Sequence, residues 1–371
     1  MNPFDFNAIW QMVLLLSILV VVHEFGHFIT ARMFGVTVYE FSVGFGPLIA
    51  KIKRNGVQYS FRWLLLGGFV KIAGLDIALE GENQDSSGAG EPEEKVCLFH
   101  NIAFWKRVLI IAAGPFFNVI LGMILTFCLC AFVGWPSGLK ESPTVLMATP
   151  GFPAFEAGIR PGDKIAQIND RKVRKWVQIP ELVQKFGANK MKIAIIRDGR
   201  RITKYITPQY APELRRHILG IEGVTSLERI PAKDAAKVAL IQPWTYTQQI
   251  VEMFVKIARK EAKGTFMGPI GMVVIMEQIS RLPLNFIIYK ILELAIGINM
   301  FLFIFNMLPL PLPLLDGGWI VIMTLEKIFK REFSADQKAA AQMVGMVGVL
   351  LLGIMIAYGD VRMLINRFFG G

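Results

Sequence analysis

Charge is scarce in this 371-residue chain: 19% of residues are Asp, Glu, Lys or Arg, against 53% hydrophobic. Soluble domains carry about 25% charged residues and roughly 45–50% apolar ones. The scarcity is local, because no charged residue occurs in Phe6–Val22, Val108–Val133, Leu294–Leu315 or Ala339–Ala357. A helix crossing a bilayer core of about 30 Å needs roughly 20 apolar residues. These gaps exclude a purely soluble enzyme and a disordered chain. They predict a polytopic α-helical membrane protein with four transmembrane helices. Cysteine is nearly missing: Cys97, Cys128 and Cys130 are odd in number and the last two lie inside an apolar run. A disulfide framework and a zinc–cysteine site are thereby excluded. Met1–Asn7 has no Lys or Arg and no small-residue cleavage site follows the first apolar run, so that run is expected to be a retained span, not a signal peptide. Basic runs interleaved with aromatics are missing too, and the net charge of +11 implies no nucleic-acid partner.

Short loops rich in Lys and Arg face the cytoplasm. The loop between spans one and two holds nine of them, and the loop between spans three and four holds Lys327, Lys330, Arg331 and Lys338. Both termini and the long segment between spans two and three are therefore expected outside. The expected organisation is a first transmembrane helix over 1–31 and a cytoplasmic loop with a membrane-associated β-hairpin over 32–106. A second helix over 107–134 and an extracytoplasmic α/β module over 140–210 follow. Next come an amphipathic region over 211–285, a third helix with a Pro-rich end over 286–320, and a fourth helix over 339–358. The hairpin is signalled by Asn55-Gly56 between alternating apolar residues. Its continuation, Leu64–Val70, is too apolar for a cytosolic loop; dipping into the membrane requires protein to shield its backbone. Glu80–Lys95 is acidic and Gly/Ser-rich and reads as a flexible loop. In the α/β module, Gly158 closes a short helix and Pro161-Gly162-Asp163 forms a turn. Strands are expected at Lys164–Ile168 and Lys192–Arg197, with a hairpin turn at Asp198-Gly199. Residues 234–263 form an amphipathic helix suited to the membrane surface.

The chemistry begins at His23-Glu24-Phe25-Gly26-His27. On a helix, positions 23 and 27 stack one turn apart, so two imidazoles can share one zinc and Glu24 can act as general base for a bound water. The motif extends an apolar span, where a charged group near mid-helix costs about 2.5–3.5 kcal/mol on insertion scales. At 1.5 Å per residue from Ala8, His23 lies about 22 Å along the helix, inside the bilayer core but nearer the cytoplasmic face. A tetrahedral zinc with one open position needs a third protein ligand. With cysteine poorly placed and the other histidines in a loop or outside, Asp316 remains. It follows a run with Pro309, Pro311 and Pro313, which cannot continue a helix. Spans one and three run in the same direction, so the two candidate ligand sites fall near the same face. Lys290 and Glu293 read as an interfacial ion pair. Asn118, inside span two, either hydrogen-bonds across helices or fills a packing defect. Gly345, Gly348 and Gly353 suggest close packing of span four.

Two resemblances follow from these motifs. The segment around 150–199 resembles a PDZ domain of the bacterial, circularly permuted type; such domains bind peptides at a sheet edge, and a purely steric gate is the alternative. HEFGH, AGPFFN (Ala113–Asn118), GFGP (44–47), LLLGGFVKIAG (64–74) and a Pro-rich LLDGG together resemble the site-2 protease family of intramembrane zinc metalloproteases. One PDZ module and four spans place the likeness in its bacterial RseP-like branch. The resemblance implies Zn2+ on His23, His27 and Asp316, Glu24 as base, and substrate contact from Asn306, Gly67 and Gly68. It also implies that the hairpin at 48–63 and the edge after it pair with an unwound substrate. The implied substrates are single-pass membrane proteins, with anti-sigma factors and remnant signal peptides as classes, cut in a bacterial inner membrane. The interval from Asn306 to Asp316 is two residues longer than the family pattern, which threatens the placement of Asn306 more than that of Asp316. The rival reading is a membrane-tethered PDZ scaffold with a non-catalytic metal site.

Overall fold

The computed structural model describes residues 6–75, 96–139, 142–211, 214–259, 268–310, 312 and 315–369. The acidic loop at 80–95 and positions 311, 313 and 314 of the Pro-rich run lie outside the described residues. Among the described residues, four helices are long and apolar enough to cross a membrane. They are α1 (Phe6–Met33), α2 (Phe104–Cys128, continued by a π turn to Val133), α7 (Leu284–Asn306) and α9 (Ala335–Phe369). The chain divides into two compact units.

One unit comprises Val13–Met123 and Ala295–Leu350. Its two strands, β1 (Val38–Arg54) and β2 (Val57–Ile72), turn at Asn55-Gly56, both with positive φ as a two-residue hairpin turn requires. The hairpin is more than a single ribbon. Residues 40–43 pair with 68–71 on one side and, in the same direction, with 58–61 on the other. The strands thus fold back on themselves, and segment 40–43 lies between two segments of β2. Gly44, Gly46 and Gly67, all at positive φ, sit where the strands bend, a conformation glycine adopts without steric cost. At the sheet's centre, Glu40 is buried and bridged by Arg62 Nη2 at 2.7 Å and Lys71 Nζ at 3.6 Å. Burial pushes its carboxyl up, but hydrogen bonds from Arg62 and Ser60 and the two positive charges outweigh this and hold it below the usual carboxylate range. Leu48, Ile49, Ile52, Trp63 and Leu64 are exposed apolar residues on this sheet.

In the same unit, α7 ends at Asn306 and a new helix, α8 (Asp316–Phe329), begins at the candidate ligand. The third transmembrane helix therefore does not run to 320, because Pro309 and its successors break the helical hydrogen-bond ladder. In α9, a side chain at Gly345 would approach Leu312, whereas Gly348 and Gly353 face open space among the described residues. Close packing, against Leu312 of the Pro-rich run, thus explains only the first of the three glycines.

The other unit comprises Met1–Met12, Ile124–Leu294 and Leu351–Gly371. Its sheet has the order β6-β5-β7-β8: β5 (Lys164–Ile168), β6 (Arg171–Lys172), β7 (Met191–Arg197) and β8 (Arg200–Ile206). Helices α3 (Pro153–Glu156) and α4 (Gln178–Phe186) cover a core that includes Ile165, Ile168, Trp176, Val183, Ile193 and Ile195. The expected strands and both turns appear where the sequence places them. Pairing continues past residue 210. Strands β9 (Gln209–Ala211) and β10 (Arg216–Ile218) pair with each other, β11 (Ile221–Gly223) returns to β4 (Val145–Ala148), and β12 (Thr225–Glu228) returns to β3 (Trp135–Leu139). Asp163, 1% exposed, accepts two hydrogen bonds from the Arg197 guanidinium and one from the Arg160 N–H. Helix α5 (Ala232–Ala258) leaves Leu240, Ile241 and Trp244 exposed, as an amphipathic surface helix does. Lys290 pairs with Glu293 at 2.8 Å, as expected, and also with Glu222 of β11. Asp360 of α9 accepts backbone N–H groups of Gly268, Ile270 and Gly271 at the start of α6 (Pro269–Ser280).

Candidate metal centre

The site is built within the first unit. On α1, His23 and His27 lie one turn apart with their rings edge to face, centroids 4.9 Å apart, and their Nε2 atoms point to one place, 3.2 Å from each other. Asp316 reaches the same place from the first turn of α8: Oδ2 lies 3.1 Å from His23 Nε2 and Oδ1 lies 3.4 Å from His27 Nε2. One donor atom from each residue falls within a 4.8 Å group. Asp316 Oδ2 is buried and makes no hydrogen bond of good geometry. Two imidazole nitrogens and an unsatisfied carboxylate oxygen fit a divalent ion that takes N and O ligands and leaves a fourth position open.

Each ring is held from behind. His27 Nδ1 lies 2.9 Å from the Ile110 carbonyl, an acceptor that orients the ring and leaves Nε2 toward the cluster. His23 Nδ1 lies 3.2 Å from the Asn118 side-chain amide. Asn118 is fully buried, and its main-chain carbonyl accepts a hydrogen bond from the Asn299 side chain of α7. Of the two readings the sequence left open for Asn118, the cross-helix hydrogen bond is the one observed. Two glycines make this approach feasible. A methyl group at Gly26 would strike the Ala113 carbonyl, and one at Gly114 would strike both imidazoles. Small residues let helix backbones meet closely inside a bilayer.

Glu24 faces the same space, and its carboxylate accepts the Val70 N–H. The cavity, about 260 Å³, is lined by His23, Glu24, His27 and Asp316 and by Val70 and Ile72 of β2. Asn306 also lines it, so the longer interval to Asp316 does not carry this residue away. The reason is the path of the Pro-rich run. Leu310 N–H donates to Leu308 O at 2.8 Å and Leu312 N–H to Leu310 O at 2.6 Å. The first of these bonds closes a two-residue turn around Pro309, whose φ near −65° suits it. The carbonyls of Leu308, Leu310 and Leu312 then lie so close to Gly317 and Gly318 that a side chain at either position would collide with them.

Gly67 and Gly68 are not in the cavity wall. Side chains there would meet Val20 and Val21 of α1 and the Ser42 carbonyl. They bring β2 directly onto α1 one turn before His23, and the edge residues Val70 and Ile72 reach the cavity instead. Gly114, Asn299 and the Val70 N–H are site features that sequence reading did not single out. The AGP motif around Gly114 and the LLLGGFVKIAG motif around Val70 carried a signal; Asn299 had none.

A family model described as peptidase family M50 matches residues 11–352 of the chain. The chain is 26% identical to the zinc metalloprotease RasP of Bacillus licheniformis, over 96% of this chain and 99% of that protein. It is 24% identical to the regulator of sigma-W protease RasP of Bacillus subtilis, with the same two shares.

Proposed function

The chain belongs to peptidase family M50, the site-2 proteases, and from that premise we propose that His23, His27 and Asp316 are its zinc ligands and Glu24 its general base. It is a zinc metalloprotease of the membrane. The observation that carries the site assignment is the convergence of three donor atoms from α1 and α8 on one point beside Glu24. Held by these three residues, a zinc ion would supply Lewis-acid polarisation of a scissile carbonyl and would lower the pKa of a water there to about 7. Glu24 takes the proton of the attacking water and delivers it to the leaving amine. Val70 N–H holds the Glu24 carboxylate in place. Asn306, on the cavity wall, steadies the substrate backbone.

A substrate helix must unwind, because its carbonyls are otherwise engaged in hydrogen bonds. The edge of β2 at 68–72, whose Val70 and Ile72 line the cavity, offers a strand partner for the unwound stretch. In this reading the substrates are single-pass membrane proteins. One relative is named as a regulator of sigma-W protease, and membrane-bound anti-sigma factors, with remnant signal peptides, are the classes carried to this chain. The α/β module over 140–210 is read as a PDZ domain, which takes a peptide or excludes bulky outer domains. The protein crosses a bacterial plasma membrane four times, with both termini and this domain outside. A scaffold with an inert metal site has no use for Glu24, whose place beside the cluster favours the enzyme.

The test is cleavage of a tagged single-span reporter without an outer domain, co-expressed with wild type or Glu24→Gln. Loss of the base should lower the rate by about 10²–10⁴-fold while zinc stays bound. Equal cleavage by both proteins would remove Glu24 from the mechanism.

A further inference from the structure

A histidine that gives Nε2 to a metal must carry its proton on Nδ1, and that proton needs an acceptor. For His27 the acceptor is the Ile110 carbonyl. For His23 the group that meets Nδ1 is the Asn118 side chain, with Nδ2 at 3.2 Å. An amide NH2 is a donor and cannot accept this proton. The acceptor on the same side chain, Asn118 Oδ1, is buried and has no hydrogen-bond partner. A half-turn of the amide about its last torsion exchanges the two atoms at almost no steric cost, since N and O are nearly the same size. One rotation therefore gives the Nδ1 proton an acceptor and takes the orphaned oxygen to the ring.

We propose that Asn118 is a positioning residue for the metal centre: its side-chain oxygen accepts His23 Nδ1–H and thereby fixes the tautomer in which Nε2 is a zinc ligand. Asn118 touches neither substrate nor metal and acts through His23. Its own place is set by burial and by Asn299, which clamps its main-chain carbonyl from α7. The inference rests on the zinc assignment made above.

The test measures zinc affinity by chelator competition on purified protein in detergent, for wild type, Asn118→Leu and Asn118→Asp, with His23→Ala as control. Leucine keeps the volume and removes the acceptor; aspartate keeps an acceptor and adds charge. Loss of an outer-shell partner typically weakens metal binding by 10–100-fold. Asn118→Leu should show a loss of about that size, while Asn118→Asp should stay within a few-fold of wild type. A packing role predicts the reverse order, because leucine is tolerated in an apolar helix contact and a buried carboxylate is not; that result would overturn the proposal. Should Asn118→Leu fail to fold, nitrogen-15 NMR of histidine-labelled wild type with zinc decides the matter. A protonated Nδ1 and a metal-bound Nε2 on His23 support the proposal, and a metal-bound or unprotonated Nδ1 refutes it. If wild type binds zinc no better than His23→Ala, the zinc assignment itself has failed; if wild type binds it and Asn118→Leu binds it equally, only the role of Asn118 has.

Discussion

At position 114 a hydrogen stands where any other residue would place a carbon, and two imidazoles occupy the space. Glycine in a helix interior ordinarily costs roughly 0.5–1 kcal/mol relative to alanine, so Gly114→Ala should improve helix propensity while damaging the metal centre. The rings of His23 and His27 must shift, and a displacement of about 1 Å can cost on the order of 10²-fold in rate. Reporter cleavage by Gly114→Ala should fall by that order with the protein still folded by size-exclusion chromatography; wild-type cleavage would show that the rings have room to spare. At this scale the sequence was partly legible. His23, Glu24 and His27 stood out because metal chemistry demands a fixed spacing on one helix, and Asp316 because other ligand types were lacking. Gly114 and Asn299 were not legible as site residues, because their meaning lies in what they touch on other helices. Asn118 announced itself as polar inside a span, and only its distance to His23 says what it does.

The sheet shows the same divide at the scale of elements. Asn55-Gly56 identifies a hairpin locally, since that turn suits no other local structure so well. What folds each strand back is not local: three glycine bends and one buried acid, Glu40, neutralised by Arg62 and Lys71 from β2. Because Glu40 is held below its ordinary value of 4.5 in the folded protein, its contribution is fully present above pH about 4.5 and is lost as pH falls through the lowered value. Hydrogen exchange of the amides at 40–43 should therefore accelerate in wild type as the medium is acidified below that point. Glu40→Gln should exchange faster already at neutral pH and respond less to acid; an equal acid response in both proteins would mean another group controls the sheet. The Pro-rich run was legible as a helix break, but the tight turn around Pro309 was not, because proline fixes φ and leaves the following hydrogen bonds to the surroundings.

For the whole molecule, the distances at the cluster constrain topology. His23 lies in the second half of α1 and Asp316 follows the end of α7, and the two side chains are 3.1 Å apart. If both helices cross the membrane, they end at the same face, so an even number of crossings joins them, as α2 and α7 supply. The same conclusion follows independently from the Lys and Arg of the short loops. The proposed orientation predicts a hairpin tip on the cytoplasmic face and an α/β module, inserted between α2 and α7, on the opposite one. Single cysteines introduced at Lys53, in the tip, and at Arg171, exposed in the module, with the three native cysteines replaced, turn this into a measurement. A membrane-impermeant maleimide should label position 171 in intact cells, after outer-membrane permeabilisation where there is one. Position 53 should label only after the plasma membrane is opened. Labelling of position 53 from outside would invert every span at once. The zinc cluster would then open toward the outer face, with the module inside the cell.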